Sequence, residues 1–529
     1  MCFKIYLFLK WLLATLISRK NDLISYRRSA TESTNAKAFA ALTKQGGVVA
    51  WGDPKSGGDL STVKHLLTSG VRQIYSRMTG FAALKNNGSV ISWGNYVRWE
   101  DITQEIRDMY PHLESSYYVR EYNNVSHLLA KDVVSVSSTS LAWAALKSDG
   151  SVVTWGSVAA GGDSTIWHAS TIYAQPTSTS LQDKLTFGVE KIYSNSSAFA
   201  ALKSDGSVVT WGAGAGGGDS SKVAHKISEG VVKIYSCSDA FAALKQDGSV
   251  VSWGGETWST NGSYIDHPSD LTNVVDITGS MRAFAALRSD GSVVTWGQNN
   301  MGGSAEVYFN FKKDPISIKN QLQSDIKSIA SSPWAFAALK HDGSVEVWGL
   351  QQGGGDGNGL SGNQPANLSG ELEYGVIDII GSDSGFLAVK QDGSLCIWSR
   401  YGNFVPSKGI LVDQVVAGTG RYAVLYADGS VSCYTFDGSE ININSYNSGD
   451  IASKLKHGVE KIYSTDAAFA ALKDDGSIIT WRGVEPITPD GIHYQYGDDS
   501  SAVASEINSN IVGLADLSTD DYLQYLSNP

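Results

Sequence analysis

The stretch Ala198–Gly212, AFAALKSDGSVVTWG, occurs in ten near-copies along this chain and decides its fold. The copies begin at residues 38, 80, 142, 198, 240, 283, 335, 385, 421 and 468. A tryptophan ends nine of them, and Tyr434 takes its place in the ninth copy. Neighbouring end aromatics lie 36 to 62 residues apart. A unit repeated at this interval indicates an array or ring, where the chain length alone would suggest about three or four domains.

Each copy is predicted to form a β-hairpin. Ala198–Leu202 is a short apolar run, and Asp205-Gly206 then provides the turn, because glycine adopts positive φ without steric cost. Asp-Gly recurs in eight of the ten copies, and the other two keep the glycine. In the second strand, Val209 and Trp211 are expected on one face, with the alternate residues on the other.

A third segment, such as Gly230–Ser236, precedes the hairpin, and its β-branched and aromatic content predicts another strand. A glycine-rich stretch such as Gly217–Ser221 connects successive units. Three or four short strands with regular turns are typical of a propeller blade, which needs neighbouring blades to bury its faces. We therefore predict an all-β fold, a β-propeller. Its Trp and Phe side chains should fill the seams between blades, and its alanines should lie where strands crowd the axis.

The repeat resembles that of the regulator-of-chromosome-condensation family over roughly residues 38 to 482. The matching segments of one copy are Val231–Ile234, Ala243-Leu244, Asp247-Gly248, Val250 and Trp253-Gly254. The resemblance implies a β-propeller, usually of seven blades. It also implies the family's best-known activity, nucleotide exchange on a small nuclear GTPase, together with chromatin binding.

Three departures from the family pattern stand out. The family's histidine is absent, and Ala198 or Ala240 followed by Phe stands near its place. The Gly-Gln-Leu-Gly turn of the family appears here as Gly-Gly-Asp-Ser. Ten copies also do not fit one ring of seven blades. No motif carries the exchange activity over, so no exchange residues are assigned.

The copy count allows a single large ring, two rings, or a seven-bladed ring with divergent copies outside it. Residues Ile511–Leu526 loosely repeat the first half of a unit, with Tyr522–Leu526 in the place of AFAAL. The first copy, at Ala38, has no clear preceding strand. A C-terminal half-blade could therefore complete an N-terminal half-blade and close a ring.

The composition indicates an ordered, turn-rich β protein, with 42% hydrophobic residues, 18% charged residues and 56 glycines. A net charge of −12 argues against a broad phosphate-binding surface, so no nucleic-acid partner is expected. The four cysteines show neither metal-ligand spacing nor a disulfide framework. Cys396 and Cys433 stand in successive repeats, which leaves a bridge between them open.

Residues 1–30 are predicted to be a separate leader, and residues 31–529 are assigned to the propeller. Residues 4–18 are mostly apolar and predict a signal peptide or a membrane anchor, although Lys10 interrupts them. We expect a secreted or anchored protein; the alternative is a cytoplasmic one with an unstructured or amphipathic leader. Five Asn-x-Ser sequons would accept glycans in a eukaryotic secretory route: Asn87, Asn124, Asn195, Asn261 and Asn367.

Catalytic motifs are not found. The nine histidines are scattered, without metal-ligand spacing, and neither a nucleophile elbow nor a phosphate-binding loop occurs. The Gly-Gly-Asp-Ser turns could offer oxygen ligands to Ca²⁺, but ordinary turn chemistry explains a single Asp better. We therefore predict no enzyme activity, no catalytic residues, no cofactor and no metal site.

Four copies carry insertions, and the longest contains residues 95–124. Its aromatic residues are the candidate binding residues: Tyr96, Trp99, Tyr110, Tyr117, Tyr118 and Tyr122. Tyrosine and tryptophan are enriched in interface hot spots, although these side chains could simply pack the insertion onto the propeller. Near-identical strands with variable loops predict a non-enzymatic scaffold that binds a protein or glycan. A regulatory exchange factor for a small GTPase is the alternative, and an enzyme with a central-channel active site is a third hypothesis.

Overall fold

The structure is a computed structural model. It describes residues 35, 37–94, 119–120, 125–164, 181–255, 271–308, 315–355, 369–382, 385–399, 402–404, 410–418, 421–435, 440–446, 450–465, 468–482 and 497–515. Each of the ten repeats forms one sheet, here called a blade and numbered by copy, and its three repeated strands are antiparallel. Every blade contains an inner, a middle and an outer strand, and the middle strand pairs with both others.

The strands have closely similar bounds in all ten blades. The inner strands, from blade 1 to blade 10, are Ile511–Leu514, Val71–Arg77, Val133–Ser138, Val189–Ser194, Val231–Cys237, Val274–Gly279, Ile326–Ser331, Val376–Ser382, Val412–Gly418 and Val459–Ser464. The middle strands are Ala38–Thr43, Gly80–Lys85, Ala142–Lys147, Ala198–Lys203, Ala240–Lys245, Ala283–Arg288, Ala335–Lys340, Gly385–Lys390, Arg421–Tyr426 and Ala468–Lys473. The outer strands are Val48–Gly52, Val90–Gly94, Val152–Ser157, Val208–Gly212, Val250–Gly254, Val293–Gly297, Val345–Leu350, Leu395–Ser399, Val431–Thr435 and Ile478–Arg482.

Three blades carry additional outer strands. These are Val119–Arg120 on blade 3, Glu306–Tyr308 and Ile316–Ser317 on blade 7, and Gly402–Phe404 on blade 8. The described helices are single turns in the connections between blades. They are Pro54–Ser56, Lys64–Leu66, Val158–Ala160, Leu181–Lys184, Gly214–Gly216, Ser221–Val223, Asn299–Met301, Lys319–Leu322, Gln351–Gly353, Ser369–Leu372, Ile443–Tyr446, Ile451–Lys454 and Ser501–Val503.

The predicted Asp-Gly hairpin is confirmed. In blade 4, Asp205 Oδ1 accepts hydrogen bonds from Ser207 N at 2.9 Å and from Ser207 Oγ at 2.6 Å. Gly206 has a φ of +75°, which a residue with a Cβ rarely adopts. The hydroxyl and then the N–H of Ser207 hold the pKa of Asp205 below its ordinary value near 3.8. The turn therefore favours the ionised carboxylate.

The two seams of blade 4 pack large side chains against small ones. Phe199 stacks on its cross-strand partner Trp211 with ring centroids 5.1 Å apart, and this pair faces blade 3. Ala198, Ala200 and Leu202 lie on the opposite face, against the aromatic pair of blade 5. The predicted aromatic seams are confirmed. The alanines have a different role from the one expected, because they lie on the middle strand and make room for the next blade's aromatics.

The inner strands of blades 2 to 10 lie in sequence against one another. Side chains of one blade also bond the inner backbone of the next. Thr278 Oγ1 donates to Ile329 O at 3.3 Å. Gln414 donates through Nε2 to Ile462 O at 2.9 Å and accepts from Ile462 N at 2.8 Å. These contacts satisfy backbone groups at an edge that no further strand covers.

The last repeat packs against the first. Ile511–Leu514 pairs antiparallel with Ala38–Thr43, so the C-terminal strand completes the N-terminal blade, as the half-blade hypothesis predicts. Ile507, Ile511 and Leu514 share a buried cluster with blades 1 and 10. The other nine core clusters of the described residues join consecutive blades. Ten seams in cyclic order correspond to the single-ring alternative. The segment Tyr522–Leu526 lies outside the described residues.

Candidate functional site

The connection that follows each outer strand is where the blades differ most, and six of these connections make one common contact. In the seam between blades 4 and 5, Gly217 has a φ of +95° and its carbonyl accepts a hydrogen bond from Trp253 Nε1 at 2.9 Å. A Cβ on Gly217 would lie 2.8 Å from the Phe241 ring. Only glycine fits this position, and we call the contact the glycine latch.

Within the described residues the glycine latch occurs in six seams, each time between a left-handed glycine of one blade and the Phe and Trp of the next. The glycines and their indole donors are Gly57 and Trp93, Gly161 and Trp211, Gly217 and Trp253, Gly302 and Trp348, Gly354 and Trp398, and Gly497 and Trp51. The last of these joins blade 10 to blade 1, so the latch also closes the ring.

The latch loop is held by its own blade as well. In blade 4, Asn195 Nδ2 donates to Gly216 O at 2.7 Å, and Thr210 Oγ1 donates to Gly218 O at 3.0 Å. Asp219 Oδ1 accepts from Ser221 N at 2.9 Å, as a turn residue does. These bonds account for the Gly-Gly-Asp-Ser sequence. Among the described residues, no group of three or more His, Cys, Asp or Glu could hold a metal ion.

In two other seams an outer-strand side chain contacts the indole of the next blade. Between blades 2 and 3, Trp155 Nε1 lies 3.3 Å from Ser92 Oγ. Between blades 9 and 10, Trp481 Nε1 lies 3.3 Å from Cys433 Sγ. Ser92 and Cys433 occupy the same register position, the residue before the end aromatic of the repeat. In both seams an outer-strand side chain lies within hydrogen-bonding distance of the indole nitrogen.

Arg77 is buried in the seam between blades 2 and 3, where it packs on an aromatic ring of blade 3. It is 1% exposed, and its guanidinium lies 5.7 Å from the ring centroid of Trp143 in blade 3. Its Nη1 donates to Thr79 Oγ1 at 3.1 Å and to Ser140 O at 3.4 Å. Arg77 stands where Asn195 stands in blade 4, and Trp143 stands where other blades have Phe.

The seam between blades 8 and 9 uses the same two register positions. Ser382 Oγ and the Tyr422 hydroxyl are 2.8 Å apart, and Tyr422 again replaces the usual Phe. Neither pair was predicted from the sequence. The available signal was that Arg77, Trp143 and Tyr422 depart from the residues usual at their positions in the repeat.

The long aromatic insertion begins directly after Gly94, at the seam that Arg77 holds. Its residues Val119–Arg120 pair with Gly156 and Ser157 as a fourth strand of blade 3. The six candidate binding residues, Tyr96, Trp99, Tyr110, Tyr117, Tyr118 and Tyr122, lie outside the described residues, so their role stays a prediction. Insertions into the same type of connection supply the extra strands of blades 7 and 8.

The described thiols are poorly suited to nucleophilic chemistry. Cys237, Cys396 and Cys433 are free and buried, so the bridge considered between Cys396 and Cys433 is not formed. Burial raises the pKa of Cys396 and of Cys433 to about 12. Both therefore remain protonated at neutral pH, whereas the thiolate is the reactive form. None of the helices among the described residues is long and apolar enough to span a membrane.

No family model matches the sequence, and no curated protein matches it. Solved structures that the chain resembles include Prp20p from Saccharomyces cerevisiae, described with its binding properties to Gsp1p and histones. It is 14% identical with a TM-score of 0.32, and the match covers 94% of this chain and 96% of Prp20p. Yeast RCC1 (Prp20) bound to Kap60 is 13% identical, with a TM-score of 0.31 and coverage of 95% and 94%.

The computationally designed Ika8 protein is 14% identical with a TM-score of 0.30, and the match covers 66% of this chain and 96% of Ika8. Identities and TM-scores this low transfer neither function nor partners to the chain. The propeller assignment rests on the ten sheets and their seams.

Proposed function

We propose that this chain is a non-enzymatic scaffold that presents the connections after its outer strands to a protein partner. The observation that carries the proposal is that conserved positions of the repeat and its variable positions have different locations in the blade. The repeated Phe, Trp and Gly residues are engaged in seam contacts, whereas sequence variation is concentrated in one type of connection. A rigid support with variable loops at one position is a common design for recognition.

The connections are anchored, which favours display of a defined surface. The strands Val119–Arg120, Glu306–Tyr308 and Gly402–Phe404 each extend the sheet of a blade. An anchored loop loses less conformational freedom on binding than an unattached one, so more of the contact energy contributes to affinity.

The connection after Gly94 is the strongest candidate surface. It carries the six candidate aromatic residues, and tyrosine and tryptophan contribute large contact areas at low cost in side-chain entropy. It also leaves from the seam in which buried Arg77 packs on Trp143 of the next blade.

The test compares two loop variants in the full-length chain. The first changes Tyr96, Trp99 and Tyr110 to Ser, and the matched control changes Gln298, Asn299 and Asn300 to Ser in another connection. Proteins captured with the parent chain are identified and quantified by mass spectrometry. The captured partner is then purified, and its Kd is measured by titration against the parent chain and each variant. We expect at least a tenfold weaker Kd for the aromatic variant and an unchanged Kd for the control. Equal binding by both variants would contradict the proposal.

Exchange activity on a small GTPase is the alternative that the sequence resemblance implies. Because Prp20p is described with binding properties to Gsp1p, purified Gsp1p loaded with a fluorescent nucleotide is a suitable probe. The scaffold proposal predicts that nucleotide release stays at its spontaneous rate. Faster release that a change in one loop abolishes would replace the scaffold with the exchange-factor function.

A further inference from the structure

Two sequons lie within the described residues, and they occupy opposite environments. Asn87 is exposed at the tip of the blade 2 hairpin. Asn195 is 2% exposed at the turn between the inner and middle strands of blade 4. The sequence pattern Asn-x-Ser is the same at both positions, so only the structure distinguishes them.

The Asn87 side chain keeps its turn contacts through one atom. Its Oδ1 accepts hydrogen bonds from Ser89 N at 3.0 Å and Ser89 Oγ at 2.7 Å, in the arrangement that Asp adopts in the other hairpins. A sugar attached to Nδ2 leaves this acceptor oxygen unchanged. The hairpin can therefore carry a bulky, hydrated group without losing the turn.

In the Asn195 side chain, by contrast, both amide atoms make hydrogen bonds within the fold. Its Nδ2 donates to Gly216 O at 2.7 Å, and its Oδ1 accepts from Ala198 N at 2.8 Å and Ser197 N at 3.0 Å. Both amide atoms hold the latch loop of blade 4 against its hairpin. A glycan at this buried amide would displace that loop and open the seam to blade 5.

We propose that Asn87 is an N-glycan acceptor of this chain and that Asn195 is not. In the reaction, Asn87 Nδ2 forms a bond to the anomeric carbon of a lipid-pyrophosphate-linked oligosaccharide and loses one proton. The bond from that carbon to the pyrophosphate oxygen breaks, and the lipid pyrophosphate leaves with the electron pair. The donor and its transferase belong to the secretory route.

The position of Asn87 also separates the glycan from the proposed binding surface. The Asp-Gly hairpins and the connections after the outer strands lie at opposite ends of the outer strands, because each outer strand runs from one to the other. A glycan on Asn87 would therefore shield the hairpin end of blade 2 and leave the aromatic insertion accessible.

The test expresses the full-length chain behind a cleavable host signal peptide in a eukaryotic secretory host. Folded protein from medium and lysate is treated with a glycosidase that converts each glycosylated Asn to Asp, and peptides containing residues 87 and 195 are weighed. We expect Asn87 to be occupied in most molecules and Asn195 to be unoccupied. An unoccupied Asn87 in signal-cleaved protein, or an occupied Asn195 in folded protein, would overturn the proposal.

Two variants provide controls for folding. Asn87→Asp introduces the residue found in eight other hairpins, and Ser89→Ala destroys the sequon while keeping Asn87. Both should lose one glycan relative to the parent chain, and Asn87→Asp should keep the melting temperature of the deglycosylated parent within about 2 °C. A glycan mass that neither variant reduces would also contradict the assignment.

Discussion

The seam between blades 4 and 5 and the seam between blades 2 and 3 join similar sheets by different means. In the first, the Gly217 carbonyl binds the Trp253 indole, and the loop packs on Phe241. In the second, buried Arg77 lies over Trp143. In the first seam the loop after the outer strand is part of the contact, whereas in the second the described contact is made by side chains of the two blades. The longest insertion occurs in the second.

This difference indicates how a repetitive ring can acquire variable surfaces. A latch loop is fixed at its glycine by the neighbouring Phe and Trp and at its flanks by side chains of its own blade. The connection can still lengthen beyond the latch without opening the ring, because the strands Glu306–Tyr308 and Ile316–Ser317 follow the latch glycine Gly302. We therefore expect functional insertions in both kinds of seam.

The largest expected effect comes from removing the strand that closes the ring. Deleting residues 505–529 removes Ile507, Ile511 and Leu514, each of which is buried between blades 1 and 10. Burial of such side chains contributes about 1.5–3 kcal/mol each, so the free energy of unfolding should fall by more than about 4 kcal/mol. Urea denaturation measures the loss. Deleting only residues 516–529 is the control and should retain most of the stability, and equal stability of both truncations would contradict the closure.

The second prediction concerns the seam held by side chains. Arg77→Ala should lower the free energy of unfolding by about 2–4 kcal/mol, because it leaves a cavity beside Trp143 and removes the donor to Ser140 O. Ser280→Ala, at the equivalent position of a latched blade, should cost only about 1 kcal/mol. Arg77→Met retains much of the packing and separates it from the hydrogen bonds. Equal losses for Arg77→Ala and Ser280→Ala would remove the distinction between the two kinds of seam.

A smaller loss is expected from a methyl group in the latch. Gly217→Ala places a Cβ 2.8 Å from the Phe241 ring at a φ of +95°, so it should cost about 2–3 kcal/mol. Gly230→Ala is the matched control, because its φ is +74° and its Cβ would meet only the flexible end of Lys245. It should cost about 1 kcal/mol from backbone strain alone. Chemical denaturation of both variants would show whether the aromatic contact adds to that strain.

The smallest effect should be a loss of stability in acid that arises in the hairpin turns and is therefore the same for blades with either kind of seam. Serine hydrogen bonds lower the pKa of seven hairpin carboxylates, those of Asp149, Asp205, Asp247, Asp290, Asp342, Asp392 and Asp475. Because the pKa is lower in the folded state, each contribution is complete above the unfolded value near 3.8 and is lost as the pH falls through the folded value. The melting temperature should therefore decrease on acidification below about pH 4.

Ser207→Ala removes the serine hydroxyl donor to one of these carboxylates and should make the decrease slightly shallower. A melting temperature that is independent of pH between pH 6 and pH 3 would contradict the role of these turns.

The sequence was sufficient to predict the blade and the aromatic residues of its seams, but not the side-chain pairs that join particular blades. The spacing of Phe199, Asp205 and Trp211 predicts the hairpin and its buried face, because strand periodicity and turn chemistry act locally. The Arg77–Trp143 pair joins residues 66 positions apart in different repeats, and nothing in the local pattern couples them. The six candidate aromatic residues could be singled out by composition, but their arrangement depends on contacts that composition does not specify.

The central claim is that ten blades form one ring whose first blade contains the last strand. Cryo-electron microscopy of the full-length chain, with blades counted in face-on class averages, tests this claim most directly. The structure predicts a single disc with ten blades and continuous density from blade 10 to blade 1. A disc of seven blades with additional density outside it, or two separate discs, would contradict the claim.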